Sequence, residues 1–427
     1  EKQAEMGKKL IKGQRGEATQ YLTRSNAVRR LQVPLQDFRR LCILKGIYPR
    51  EPKKKLKGSD KTYFHIKDLK ILEHDSILQK FREIKAHLKK FKKFQGKCEF
   101  KRAEEHMRDM PKYTLSNVIK ERYPSFTDAL RDLDDALCLI SMFATLPSHH
   151  TLEISNKDVE MAKRLYHEWM VYCTLAQCFK KAFFSIKGIY FQVELMGQQV
   201  TWIAPYQFNQ RLPFDIDYKV IGTFSEFYLA LLRFANYKLF KDLGIGYPLD
   251  LSSVMDDDLY LSSQKVQKIQ LETVKQLDEQ FNSSMEGVGV SEEFKNTPEF
   301  KQLTKKQSEL KRQRKLFSKC IFQFGREVGV SQSCLQYLVL SFGGRFENSL
   351  EMSAESKATH MVMDRPINAA ILNKFKNKEF VQPQYLADSI NNLFLLPTSA
   401  YKPGVPPPPH LSPFVDNKKE GYVPQRQ

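Results

Sequence analysis

The chain has 427 residues, 41% of them hydrophobic, and its 68 Lys and Arg against 49 Asp and Glu give a formal charge of +19. That apolar share supports packed cores and excludes a disordered chain, and the length implies two or three domains. A pI near 9.4 predicts an anionic partner, most often nucleic acid.

No apolar run reaches the roughly 18 to 20 residues that a membrane-spanning helix needs. The start carries no secretory pattern, and its opening on Glu1 rather than methionine leads to the expectation of a beginning inside a longer protein. Seven cysteines, Cys42, Cys98, Cys138, Cys173, Cys178, Cys320 and Cys334, form no C-x-x-C pair and mostly sit in apolar helical runs. They are expected to be reduced, buried thiols of an intracellular protein.

In chain order, the first distinctive stretch is Asp37 to Pro52, DFRRLCILKGIYPREP, which sets Arg39, Arg40, Lys45 and Arg50 among aromatic and aliphatic residues. Such a mixture suits a surface that meets polyanion. KKKLK follows, placing Lys53, Lys54, Lys55 and Lys57 in a loop beside Arg39 and Arg40. In KAHLKKFKKF, Lys85, Lys89, Lys92 and Lys93, with Lys90 among them, cover a wide basic helix face while Leu88, Phe91 and Phe94 seat the helix on the body.

The segment YPSFTDALRDLDDALCLISMFATLP predicts a helix whose buried face is Phe126, Ala129, Leu130, Leu133, Ala136, Leu137, Ile140 and Phe143. Ser125 with Asp128 supplies its capping box, and Pro147 stops it. A second long helix is expected to start at Ser155 and run through LYHEWMVYCTLAQCFKKAFFSI until Gly188. IYFQVELMGQQVTWI then alternates about Gly197, a β-hairpin pattern. FSEFYLALLRFANYKLFKDLG returns to helix, and Gly244, Gly246 and Pro248 close a domain over residues 1–250.

Residues 251–314 turn to Ser, Gln, Glu and Lys and read as a polar helical linker, with a helix from Leu259 to Phe281, a join at Gly287 and Gly289, and a second helix entering KKQSELKRQRK. A compact α/β unit follows over 315–415, with strands in KLFSKCIFQF, near Arg345 and Phe346, and in THMVMD, and helices in SQSCLQYLVLSF and QPQYLADSIN. Strands alternating with helices imply a small, mainly parallel sheet. KPGVPPPPHLSPF should be extended polyproline II, lying on a surface or trailing free, and 416–427 form a tail. The fold class expected is therefore α+β and multidomain.

Chemistry that an enzyme would require is not patterned here. H-E-x-x-H, P-loop, G-x-S-x-G and dinucleotide-binding glycine patterns do not occur. Asp132 and Asp135 fall on the solvent side of their helix with Asp134 nearer its edge, whereas two-metal chemistry needs carboxylates converging from separate elements. The Asp256 to Asp258 triplet lies in the polar linker, and His149 and His150 follow a proline with no third ligand nearby, so no metal or other cofactor is expected. Basic clusters with interleaved aromatics are the stronger signal, extended by Lys305, Lys306, Lys311, Arg312, Arg314 and Lys315, and backbone contact to nucleic acid is the expectation.

At these residues the sequence resembles a known family. LQDFRRLCILKGIYPREP, VIKERYPSFTDALRDLDDAL and FSIKGIYFQVELMGQQVTWIAPYQF are similar to the N-terminal domain of the Pescadillo family, and VQPQYLADSINNLFLLP with PPPPHLSPF and GYVP resembles its C-terminal part. The likeness runs from about Gly7 to Pro248 and from about Leu316 to Pro424. It implies a BRCT domain over 315–415, with Gly343 and Gly344 where the first helix turns into the second strand and Tyr385 where such domains usually bury a tryptophan. Gly325 and Arg326 stand where a phosphopeptide-reading BRCT domain would carry Ser or Thr followed by Gly.

The resemblance further implies a nucleolar and nucleoplasmic, non-catalytic scaffold in assembly of the large ribosomal subunit. Its partners would be precursor ribosomal RNA, the block-of-proliferation protein with its WD-repeat partner, and other pre-ribosomal assembly factors, and its role would be in processing around the second internal transcribed spacer. Two rival readings are a BRCT scaffold that reads phosphoserine in the DNA-damage response, and a ribonuclease using Asp132 and Asp135.

Overall fold

A computed structural model describes residues 17–52, 61–147, 154–206, 215–248, 312–326, 332–347, 356–367 and 377–415, with a few isolated positions between them. The chain divides into two compact units, Glu1–Pro124 with Phe214–Ala230, and Ser125–Pro213 with Leu231–Gln427.

In the first unit, β1 (Tyr21–Thr23) pairs antiparallel with β2 (Tyr63–His65) beside the helices α1 (Arg24–Leu31), α2 (Leu35–Lys45), α3 (Ile66–Glu73), α4 (Ser76–Gly96), α5 (Phe100–Arg108) and α6 (Ser116–Arg122). Its core is drawn by Leu31, Phe38, Leu41, Leu44, Phe64, Leu69, Leu72 and Leu78, all nearly or fully buried. Gly46 ends α2 in the left-handed region at φ 66°, where the N–H groups of Gly46 and Ile47 reach the carbonyls of Ile43 and Cys42. Glycine takes that conformation without the Cβ clash that penalises other residues.

In the second unit, the expected helix after Ser125 forms in two pieces, α7 (Phe126–Arg131) and α8 (Leu133–Thr145), broken at Asp132. Its buried face is the expected one, with Leu130, Leu133, Ala136, Leu137 and Ile140 closed to solvent. Ser125 caps it, its Oγ accepting from the Asp128 N–H at 3.2 Å. α9 (Asn156–Leu175) begins after Ser155 as expected but ends far short of Gly188.

The rest of that stretch is β3 (Phe179–Ser185), which with β4 (Gly188–Leu195) and β5 (Gln198–Pro205) makes a three-stranded antiparallel sheet rather than a lone hairpin. Gln177, at φ 50°, breaks the helix, and the aromatic run FKKAFFS packs better as a pleated edge than as a further turn of helix. Met196 and Gly197, at φ 49° and 76°, form the tight β4–β5 turn, the double positive φ of a twisted two-residue hairpin loop. Alternate residues Ile189, Phe191 and Val193 of β4 and Val200 and Trp202 of β5 are buried. Trp202 meets Trp169 of α9 edge-on at 5.6 Å, and its Nε1–H donates to Tyr166 at 3.1 Å.

α10 (Tyr218–Asp242) confirms the helix expected there, and its residues from Leu231 onward belong to the second unit. Met255–Asp256 and Tyr260–Leu261 pair as short strands β6 and β7, so the helix expected from Leu259 does not begin there, and the rest of that expected linker lies outside the described residues up to Lys311.

The C-terminal sheet contains β8 (Ile321–Phe324), β9 (Arg345–Glu347), β10 (His360–Val362) and β11 (Glu379–Val381), all pairings parallel, in the order β11-β10-β8-β9. Among the described residues its helices are α11 (Gln332–Ser341) and α12 (Gln384–Asn392). The strand expected across KLFSKCIFQF occupies only its last four residues, since Lys315 to Lys319 make turns.

Gly343, at φ 78°, and Gly344 close α11, donating to Leu340 at 3.1 Å and to Val339 at 2.9 Å. A Cβ on Gly343 would lie 2.5 Å from the Arg314 carbonyl oxygen, and one on Gly344 would lie 2.7 Å from the Val339 side chain. Both positions therefore need glycine for space, and Gly343 for its backbone conformation as well. Tyr385 is 1% exposed and lies between the rings of His360 and Tyr401.

The proline-rich stretch lies on a surface. Gln384 holds the Pro408 carbonyl at 2.7 Å, and His410 bonds Asp388 of α12 at 2.8 Å through Nδ1. His410 Nε2 accepts from the Phe184 N–H of β3 at 3.0 Å, and Lys181 donates to the Pro413 carbonyl at 2.8 Å. The Asn391 amide makes two hydrogen bonds to the Ala182 backbone, so two side chains occupy the outer edge of β3, which pairs with no strand among the described residues.

Candidate nucleic-acid interface

The basic residues of the first unit fall into two kinds. Those of α2 face carboxylates. Arg39 lies 3.3 Å from Asp217, and Arg40 pairs with Glu226, whose other oxygen accepts from the Tyr113 hydroxyl at 3.1 Å. Arg40 also lies over the Tyr113 ring, 5.4 Å from its centre. Lys45 is the most enclosed, 14% exposed, with Nζ 2.5 Å from Asp75 and 2.7 Å from Glu121. Burial opposes its charge, but the hydrogen bonds to Asp75 and Glu121 outweigh burial and raise its pKa. Asp75 in turn caps α4 through the Ile77 N–H at 2.8 Å.

The α4 lysines are different. Lys89, Lys90, Lys92 and Lys93 are exposed and have no ion-pair partner among the described residues. Lys85 is half-buried and reaches the Gln32 carbonyl only at 3.5 Å. The helix is seated as its sequence implies: Phe91 and Phe94 are half-buried against α5, though Leu88 is 38% exposed. His87 stacks on His106 of α5 with ring centres 3.5 Å apart, and Phe94 meets His106 edge-on at 5.6 Å. The structure thus brings five predicted lysines onto one helix, whereas Lys53, Lys54, Lys55 and Lys57 lie outside the described residues.

A groove of about 570 Å³ opens between α4 and α5, lined by Phe91, Gln95, Phe100, Ala103, Glu104, Met107 and Arg108. Phe100 is 64% exposed in its wall. The sequence reading stopped at Phe94 and missed the α5 half. Phe100, Ala103 and Met107 recur at three and four, a pattern that would have shown an apolar stripe on the next helix.

Among the described residues the acidic side chains gather at no common point. Asp132 and Asp135 are exposed as expected. Asp134 is half-buried and accepts from the Thr201 N–H at 3.1 Å, and burial pushes its carboxyl up to about 6. Among the described residues no group of three or more His, Cys, Asp or Glu side chains could hold a metal, and no helix is long and apolar enough to cross a membrane. Cys42, Cys173, Cys320 and Cys334 are buried and outside any disulfide, as expected, Cys138 and Cys178 are half-buried, and Cys98 is exposed.

These features define a basic, mixed helix-and-sheet protein with an open lysine face on one helix. Residues 11–284 match the family model described as the Pescadillo N-terminus. Among curated relatives, a Pescadillo homolog of Nematostella vectensis is 40% identical over 98% of this chain and 84% of its own length. A homolog from Arabidopsis thaliana is 39% identical over 97% of this chain and 74% of its own, and one from Kluyveromyces lactis 38% over 96% and 74%. The chain belongs to the Pescadillo family.

Proposed function

We propose that this protein is a non-catalytic scaffold in assembly of the large ribosomal subunit. It binds precursor ribosomal RNA and partner assembly factors, among them the block-of-proliferation protein and its WD-repeat partner, and supports processing of the second internal transcribed spacer in the nucleolus and nucleoplasm. The observation that carries the RNA part of this reading is the α4 face, where Lys89, Lys90, Lys92 and Lys93 project without counter-charges among the described residues. Unpaired cations on a rigid helix are ready to replace the counterions of phosphate groups, which is the sequence-independent term in nucleic-acid binding.

The C-terminal unit is read as a BRCT domain. An all-parallel four-stranded sheet with the first strand between the second and third supports that reading, as do Gly343 closing the first helix and Tyr385 buried in the last. Gly325 at the end of β8 has no hydroxyl to offer a phosphate, and its backbone is tied to Val362 and Gln332. The domain accordingly docks protein or RNA rather than a phosphoserine.

The test replaces Lys89, Lys90, Lys92 and Lys93 with glutamine in the full chain and measures RNA affinity from low to high salt. Each phosphate contact contributes roughly 0.7 to the logarithmic salt slope on single-stranded RNA, so the slope should fall by about two to three if all four engage. An unchanged slope would refute the assignment of these lysines.

A further inference from the structure

The groove between α4 and α5 has a composition that phosphate contact leaves unexplained. Its floor and walls are Phe91, Phe100, Ala103 and Met107, and Phe100 and Met107 hold their apolar surface in water at 64% and 41% exposure. Polar groups enter only at Gln95, Glu104 and Arg108. Its volume, about 570 Å³, lies within the range of small-molecule and base-sized sites.

Helical spacing puts Lys85, Lys89 and Lys92 in one line alongside the Leu88, Phe91 and Gln95 line that borders the groove. On α5, Lys101, Glu105 and Arg108 share the line next to the Phe100 and Glu104 positions, a mixed-charge edge whose Arg108 enters the groove wall. The groove is therefore an apolar trough with a basic rail along its α4 side and a mixed-charge edge along α5.

A partner that fits must carry negative charge along the α4 margin and flat neutral rings at its centre. Single-stranded RNA has that arrangement: its phosphates follow basic residues while unstacked bases lie on aromatic side chains. A duplex fits poorly, because its bases are stacked inside. An acidic peptide fits poorly as well, because it would bring carboxylates against Glu104 in the wall and Glu105 beside it. The same carboxylate and the Gln95 amide are acceptors suited to the N–H groups of a base edge.

Building on the RNA reading above, we infer that the α4–α5 groove receives unpaired nucleobases of single-stranded RNA, stacked on Phe100 and Phe91 against Met107, while the flanking α4 lysines hold the phosphates. The site couples two functions on one helical hairpin: the α4 rail gives affinity for any strand, and the trough selects unpaired segments over duplex.

The experiment measures anisotropy of the full chain with a labelled single strand of mixed sequence, about twelve nucleotides long, and with the same sequence as a duplex. Phe100→Ala with Met107→Ala should weaken the single-strand complex about tenfold, the effect expected for one lost stacking platform. The salt slope should stay unchanged, since no charge is removed. Phe100→Trp should restore tight binding, and duplex affinity should not move. If the Phe100→Ala, Met107→Ala protein keeps full single-strand affinity while the lysine-to-glutamine protein loses it, the groove inference fails and the lysine reading survives. If the unaltered protein binds neither RNA, the reading beneath it fails. Binding of an acidic amphipathic peptide that the groove variant abolishes, with RNA affinity intact, would overturn the inference and assign the trough to a protein partner.

Discussion

His167 offers a sharp test of the second unit. It sits on α9, 4% exposed, sharing a hydrogen bond through Nδ1 with the Tyr337 hydroxyl of α11, while Nε2 has no partner among the described residues. Burial lowers its pKa from 6.5 to about 4. A base with a depressed folded-state pKa leaves stability complete above the unfolded value and subtracts from it as pH falls, because the unfolded chain takes the proton first. Between pH 7.5 and 5 the loss is about 2 kcal/mol, approaching about 3 kcal/mol near pH 4, at 1.36 kcal/mol per unit.

The assay is urea unfolding at both pH values followed by tryptophan fluorescence. Trp169 and Trp202 are the chain's two tryptophans and both lie buried in this unit. Other groups titrate in the same window, His360 among them, lowered by burial. The decisive quantity is therefore the difference between the wild type and His167→Gln, which should be less sensitive to acid by about 2 kcal/mol. Equal pH dependence in the two proteins would show that His167 is solvated or protonated in the folded state and would refute the packing of α11 on α9.

Gly343→Ala should lower stability by about 2 kcal/mol or more, from positive φ and a 2.5 Å approach to the Arg314 carbonyl, and a wild-type urea midpoint would contradict this. Lys45→Met strands the Asp75 carboxylate, 6% exposed, and should cost about 3 kcal/mol by circular dichroism, whereas the four-lysine α4 variant should unfold like wild type. His410→Ala leaves the Phe184 N–H without its partner and removes one contact from Asp388, which keeps Tyr401 and Gln384; it should speed proteolytic cleavage within 402–415 while barely moving the global midpoint, so unchanged cleavage would mean that this histidine does not fasten the stretch.

Local signals were readable where one element determined its own form. The Ser125 cap, the buried stripe of α8, the glycine that ends α11 and the parallel C-terminal sheet all follow from short-range spacing. The end of α9 was not readable, because FKKAFFS has helical as well as extended character until β4 supplies a pairing edge. Charge was legible as an amount but not as an assignment. Arg40 meets Glu226 and Lys45 meets Glu121 only after folding joins distant segments, so residues that looked alike in sequence divide into paired cations of the core's rim and open cations of α4. The groove escaped notice because each of its helices supplies half of it.

The most direct measurement of the central claim is ultraviolet protein–RNA crosslinking in cells, mapped to residue and nucleotide. The account predicts crosslinks on peptides spanning Lys85 to Met107, joined to unpaired stretches of large-subunit precursor RNA. Recovery of the protein with RNA-free peptides across that span, or with crosslinks confined to other surfaces, would contradict it and leave the charge to acidic protein partners.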